Sequence, residues 1–332
     1  MAQVDRSASD DTYMKNAWKV WLVVATILMT AYFVVEKSAE SKLVLYNGVG
    51  LVSLILLLVG IRVHRPRPVA PWLWFAGGLA SFLTADVIYY IIELEAGEAG
   101  PPFPNVADGF YLAMYPLMIV GLIRLVNHVA PGRSRASFID AAIGGIALFG
   151  TMWVLFVDEF FVSDTSVGAL AVSLGYPVMD VALFAVAARL VVTVHLKHPP
   201  FAFIVTAIGS LAVADTGYQI YLVNGTFKTG LFIDAFWLMF YVGFAIAALH
   251  PTVSRRPPEP EDQDRLTPIQ LIIMFVATLS VPLIDLFWGN LADRVVTIAA
   301  SAMLFMLILT RVFDLMKTVE KGKDLLRHDA EH

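Results

Sequence analysis

Ten apolar runs fill the sequence, at 17–35, 43–61, 71–93, 106–126, 137–157, 167–190, 200–223, 229–249, 268–288 and 291–312. Short polar or Pro- and Gly-bearing separators part them, such as HRPRP, GEAGPPFPN and SRRPPEPEDQDR. A helix needs about 20 apolar residues to cross the hydrocarbon core of a bilayer, so runs of this length predict an all-α polytopic membrane protein with about ten transmembrane helices. Charged residues make up only 15% of the 332, against roughly 25% in soluble domains. The mean hydropathy of +0.72 agrees. Three regions follow: a cytoplasmic N-terminal tail over 1–16, a membrane domain over 17–312, and a juxtamembrane segment over 313–332. The first run is long and lacks a small-residue cleavage site, which favours a retained helix over a cleaved signal peptide.

Charge placement sets the orientation. With the N-terminus inside, only Lys37, Lys42, Lys228 and Arg294 of the 23 Lys and Arg fall on the outer side. The remainder fall inside, as the positive-inside rule requires. The outer loops carry Glu93, Glu95, Glu98, Asp158, Glu159 and Asp164. Both termini are therefore expected in the cytoplasm.

Two of the runs hold an acid. TADVIYY at 84–90 and VADTGYQ at 213–219 each place an Asp with a Tyr three residues later. A carboxylate at membrane depth is expensive, about 2.5–3.5 kcal/mol on insertion scales, unless something satisfies it. The wording recurs: Ala85-Asp86-x-x-Tyr89 aligns with Ala214-Asp215-x-x-Tyr218. In the spans that follow, Asp108 lies seven residues before Tyr115, and Asp234 seven before Tyr241. Four spans separate the copies, so both point the same way, and the pattern predicts a parallel internal repeat of spans 3–4 in spans 7–8.

Topology assigns depths. Asp86, Asp215 and Asp285 fall in the outer third, Asp108 and Asp234 at outer helix ends, Asp180 near the midplane and Asp140 near the inner surface. Spacings of three or four residues put Asp86 beside Tyr89 and Tyr90, Asp108 beside Tyr111, Tyr176 beside Asp180, and Asp215 beside Tyr218 on single helix faces. No Lys, Arg or His falls at comparable depth in the outer half. The acids must be protonated, hydrogen-bonded, or neutralised by something bound. One reading is that they fasten the bundle, at roughly 0.6 kcal/mol per interaction. The other is an outward-facing pocket for a cation, proton or amine-bearing ligand, lined by Asp86, Tyr89, Asp108, Tyr115, Tyr176, Asp180, Asp215, Tyr218, Asp234 and Tyr241. A transport path is a third.

Several chemistries are disfavoured. There is no Cys, hence no disulfide or thiolate ligand. All seven His (64, 128, 195, 198, 250, 328 and 332) fall at or beyond the inner boundary, which argues against a His-ligated metal or haem in the outer half. The twelve Met are scattered and read as packing. No nucleotide loop, HExxH or Ser-His-Asp set occurs, and no basic stripe suggests nucleic acid. The expectation is a non-enzymatic chain without cofactor or metal. Gly144-Gly145 reads as a small-residue packing face, Gly175-Tyr176-Pro177 as a bend, and Trp18, Trp21, Trp72, Trp74 and Trp288 as interfacial anchors.

Past the last run the chain continues as LTRVFDLMKTVEKGKDLLRHDAEH. Val312, Leu315, Val319 and Leu326 occupy heptad positions of a short parallel coiled coil, with Gly322 at the intervening core position; a solvated juxtamembrane helix is the alternative. The closing LLRHDAEH resembles the linker that directly precedes a GGDEF (diguanylate cyclase) domain. The membrane portion is similar to the sensor regions of actinobacterial-type GGDEF and GGDEF-EAL proteins, through stretches at Ala85–Tyr89, Pro104–Pro116, Gly175–Asp180 and Ala248–Pro251. The likeness covers most of residues 70–332, yet neither a GGDEF or GGEEF signature nor an EAL motif is present. It implies the sensory portion of a cyclic-di-GMP signalling protein in the inner membrane of a bacterium, cut before its output domain and dimerising through the C-terminal helix. The competing expectation is a secondary transporter or a cation- or proton-coupled carrier, suggested by the repeat and the intramembrane acids. An intramembrane enzyme is disfavoured by the missing catalytic set.

Overall fold

The computed structural model describes residues 2–34, 39–97, 100–129, 135–154, 166–194, 198–223, 226–255, 268–289 and 294–330. Among these the chain forms ten helices and no strand: α1 Ala2–Val34, α2 Ala39–His64, α3 Ala70–Ala96, α4 Val106–Val129, α5 Arg135–Met152, α6 Val167–Val194, α7 Pro199–Val223, α8 Asp234–Leu249, α9 Pro268–Trp288 and α10 Arg294–Ala330. Seven are long and apolar enough to cross a membrane: α1 from Lys15, α2, α3, α4, α6, α7 and α10 as far as Lys317. The apolar stretches of the other three, Ile139–Thr151, Asp234–Leu249 and Met274–Phe287, are shorter.

Local chemistry sets several bounds. The polar residues ahead of the first apolar run are helical, because α1 starts at Ala2, with its apolar span from Lys15. No Gly or Pro occurs between Ala2 and Val34, so nothing interrupts the helix. In contrast, α8 starts later than its apolar run. Gly230 has φ 95°, and its N–H is held by the Asp234 carboxylate at 2.8 Å, which keeps 230–233 in a turn. Pro177 lies inside α6, which runs on past it to Val194.

α3 packs along α4 and α7 along α8. Crosswise, α2 lies on α8 and α6 on α4, while α1 covers α8. Twelve of the sixteen residues of α8 are buried, as befits a helix that is apolar all round and enclosed by others. Close approach demands small residues there. A Cβ on Gly60 of α2 would stand 2.6 Å from the Ala248 carbonyl, and one on Gly243 of α8 2.7 Å from the Ala207 Cβ. The remaining helices form a flank: α5 packs on α6, and α9 and α10 pack on α5 around Ile143, Val281 and Leu304. On its outside, α9 and α10 expose Phe275, Leu286, Phe287, Phe305 and Phe313, as lipid-facing helices do.

Two anchor assignments are corrected. Trp21 and Trp72 are 5% and 2% exposed and belong to the core. Each sits on a helix face covered by neighbours, which position along a span does not reveal. Trp18 stacks on His250 at 5.0 Å, and Trp74 carries Arg124 at 5.8 Å; the Trp288 side chain lies outside the described residues. Of the glycine pair, Gly145 faces Ala185 of α6 at 3.3 Å from its would-be Cβ, whereas Gly144 faces open space.

Alternating helix directions sort the ends of the molecule. The C-terminal parts of α1, α3 and α7 meet the N-termini of α4 and α8, gathering Tyr32, Asp86, Asp108, Asp215 and Asp234. The opposite end gathers His64, His128, His198 and His250.

Candidate functional site: a tyrosine–aspartate network

Each network carboxylate is placed by its helix and reached from others. Asp86 on α3 follows Ala85, which is fully buried and lets neighbouring helices approach. Its Oδ1 accepts the Tyr111 hydroxyl of α4 at 2.7 Å, and its Oδ2 accepts the Tyr241 hydroxyl of α8 at 2.6 Å. On α7, Asp215 accepts Trp237 Nε1 of α8 at 2.8 Å. The Tyr115 hydroxyl of α4 lies 3.3 Å from Asp215 Oδ2 and donates to Asp180 Oδ1 of α6 at 2.7 Å.

Asp108 and Asp234 sit in the first turns of α4 and α8. Unpaired N–H groups and the positive end of the helix dipole favour a carboxylate there. Asp108 accepts the Asn105 N–H at 2.7 Å and the Tyr176 hydroxyl of α6 at 2.7 Å. Asp234 accepts the Gly230 N–H and the Tyr32 hydroxyl of α1, and Tyr32 contacts the Tyr90 hydroxyl at 3.3 Å. At the rim, Lys42 Nζ donates to the Thr229 carbonyl at 2.7 Å, and Thr229 donates to Glu93.

Eight of the ten residues named from sequence as a pocket lining thus take part in these bonds, in four sets: around Asp86, around Asp108, around Asp234, and around the Asp180–Asp215 pair. Tyr89 and Tyr218 bond no carboxylate among the described residues. Tyr89 packs edge-on against Tyr90, and Tyr218 against Phe227 and Trp237. The hydrogen bonds do not follow the same-face spacing: Tyr111 serves Asp86 rather than Asp108, and Tyr176 serves Asp108 rather than Asp180. A tyrosine ring projects outward from its helix, so its hydroxyl lands on the neighbouring helix rather than on a carboxylate one turn away. Two acids stand apart. Asp285 lies on α9, in the flank. Asp140 of α5 receives Arg311 Nε of α10 at 2.9 Å, with the side chains 9% and 7% exposed.

Sequence reasoning missed Tyr32, Trp237 and Arg311. Trp237 had a signal, since it follows Asp234 by three residues as Tyr111 follows Asp108. Tyr32 and Arg311 had none, because Tyr32 reaches Asp234, and Arg311 reaches Asp140, from helices outside the repeated motifs. Of the heptad positions expected on α10, Val312 is 40% exposed and Leu315 half-buried. The side chains of Val319 and Leu326 lie outside the described residues.

Chemically, the site gathers carboxyl oxygens under neutral donors, with Lys42 at its rim. Asp86, Asp108, Asp180 and Asp234 are between 2% and 8% exposed, and their bonds come from phenols and backbone amides. Phenols orient and stabilise carboxylates without cancelling their charge, which leaves an affinity for protons and cations. Among the described residues no group of three or more His, Asp or Glu is arranged to hold a metal ion. No protein-family model, curated protein or solved structure matches the chain.

Proposed function

We propose that this chain is the membrane input module of a bacterial signalling protein, spanning the inner membrane ten times with both termini in the cytoplasm. Its outward-facing Asp/Tyr network receives a proton, a cation or an amine-bearing ligand, and α10 carries the resulting shift to a GGDEF-type output domain acting on cyclic-di-GMP. Two copies pair through α10 from Val312 onward.

The observation that carries this reading is the crossed hydrogen bonding of the network. Tyr111 and Trp237 each serve the acid of their own helical hairpin, whereas Tyr241 serves Asp86 and Tyr115 approaches Asp215 of the opposite hairpin. That exchange supports a parallel repeat of α3–α4 in α7–α8, and it makes the acid cluster the joint between the two halves. A ligand that alters the charge at this joint shifts one hairpin against the other. α4 and α7 both pack on α6, which holds α5, and α5 holds α10 through Asp140 and Arg311. The 37-residue α10 runs unbroken from the flank to Ala330, so a rotation at one end reaches the other.

The chain lacks Cys, so single cysteines placed one by one from Val312 to Leu326 report α10 pairing without background. The expected outcome is disulfide crosslinking with heptad periodicity, whose strongest positions change with external pH or in Asp86→Asn/Asp215→Asn. Crosslinking absent at every position in all conditions rejects the input-module reading.

A second reading, a proton- or cation-coupled carrier, draws on the meeting of Asp180 and Asp215 at one hydroxyl. Tyr115 has a single proton to donate and gives it to Asp180, while Asp215 Oδ1 takes Trp237 Nε1, which leaves Asp215 Oδ2 as the oxygen open to a proton or cation. Counterflow in proteoliposomes separates the two readings.

A further inference from the structure

At the opposite end from the carboxylates, the described residues enclose a cavity of about 450 Å³. Its floor is apolar, made of Trp72, Leu125, Phe201 and Val253, all buried. Its rim carries Arg67, His128, Arg255 and Ser254, each exposed. Among the described residues no acidic side chain lines it.

These rim groups come from three separate places in the chain. Arg67 lies in the turn between α2 and α3, where Pro66 and Pro68 on either side restrict the backbone. His128 sits in the last turn of α4. Ser254 and Arg255 follow α8 in a turn closed by Val253 N–H to His250 O at 3.0 Å and Arg255 N–H to Thr252 O at 2.9 Å. A bias of basic residues toward one face scatters them along it; it does not bring two arginines to the lining of one cavity with an aromatic floor. Guanidinium forks match the oxygens of a phosphate group. The volume lies within the range of small-molecule sites, roughly 300–1,000 Å³.

We propose that this cavity binds a phosphate-bearing anion, with Arg67, Arg255 and Ser254 on the phosphate and Trp72 and Phe201 against its apolar remainder. Phosphate of this kind has two sources here: the headgroup of an anionic lipid in the adjoining leaflet, where basic clusters meet negative surface potential, and a soluble phosphate.

The test uses the whole chain in nanodiscs of phosphatidylcholine alone or with phosphatidylglycerol. Melting temperature and retained lipid are read for the wild type, Arg67→Gln/Arg255→Gln and Arg62→Gln/Arg65→Gln. The last variant removes equal charge from the same end of the molecule outside the cavity. The expected result is stabilisation by phosphatidylglycerol in the wild type and in Arg62→Gln/Arg65→Gln, with affinity about a hundredfold weaker in Arg67→Gln/Arg255→Gln, the loss of two charge-assisted contacts at about tenfold each. In a second arm, inorganic phosphate is titrated into phosphatidylcholine discs. Stabilisation there, abolished by the same cavity variant, assigns the soluble source; stabilisation by phosphatidylglycerol only assigns the lipid. Equal weakening in both double variants, or no stabilisation in either arm, overturns the proposal. If Arg67→Gln/Arg255→Gln melts early in phosphatidylcholine, Arg255→Lys replaces it, which keeps the charge and loses the fork.

Discussion

The Tyr241 hydroxyl on α8 donates to the Asp86 carboxylate on α3 across 155 residues of sequence, at 2.6 Å and fully buried. Both partners sit where the two hairpins touch, so this bond reports directly on how the halves of the bundle are held together. Tyr241→Phe removes one donor and leaves Asp86 Oδ2 buried without it, which costs about 1–3 kcal/mol. Thermal unfolding in detergent is expected to show that loss, while Tyr89→Phe, whose hydroxyl bonds no carboxylate among the described residues, leaves the melting temperature in place. Equal melting of the two variants refutes the assignment.

The approach of α2 to α8 gives a second prediction. A methyl on Gly60 meets the Ala248 carbonyl carbon and oxygen at 2.6 Å, both of them backbone atoms that cannot swing aside. Gly60→Ala therefore forces the helices apart, at about 1–3 kcal/mol for an overpacked core. Gly144→Ala adds a methyl to open space and improves helix propensity, so its melting temperature is expected to hold or rise. Differential scanning of the two variants side by side checks this.

How far the sequence foretold these features depends on the range of the interaction. Helix positions were legible because each apolar run is a local property: α7 over Pro199–Val223 and α9 over Pro268–Trp288 fall within a residue of the runs at 200–223 and 268–288. That acids would gather at one end was legible as well, since helix direction alone fixes which end holds Asp86 and Asp108. The partners were not. Asp86 takes its donors from α4 and α8, and nothing in the spacing around position 86 encodes which helices lie beside α3. The buried Trp72 shows the same limit, for a residue near a span's end looks interfacial until its neighbours are known. Arg311 read as one more inner-face cation, because its partner Asp140 sits on a helix far away in sequence.

That ion pair yields the third prediction. Arg311 and Asp140 are nearly inaccessible to solvent, and removing one partner of such a pair strands the other charge. Arg311→Gln is expected to destabilise the flank by about 3–5 kcal/mol. Replacing both, as Arg311→Met with Asp140→Leu, recovers most of the loss because no buried charge remains. Limited proteolysis of the C-terminal end of α10 reads the flank alone: faster cleavage in Arg311→Gln and near wild-type cleavage in the double variant are the expected pattern. A double variant as labile as the single one removes the pair from any role in holding α10.

The fourth prediction concerns acid. His250 follows the end of α8, buried against Trp18 at 5.0 Å. Its Nδ1 accepts the Thr252 N–H at 3.3 Å, which requires that nitrogen to be unprotonated. Burial, and then the neighbouring His198 and His64, push the imidazole below its ordinary value of 6.5. In the unfolded chain the same group protonates at its ordinary value, so the unfolded state binds protons first as pH falls. The neutral ring therefore contributes its full stability above about pH 6.5, and that contribution is lost progressively on acidification through the folded value. His198, also buried, is shifted the same way, chiefly by burial. Melting temperatures measured from pH 7.5 to pH 5 are expected to fall across this window in the wild type, and to fall less steeply in His250→Gln, which keeps a polar side chain without the titration. A His250→Gln curve parallel to the wild type shows that other groups govern the acid limb.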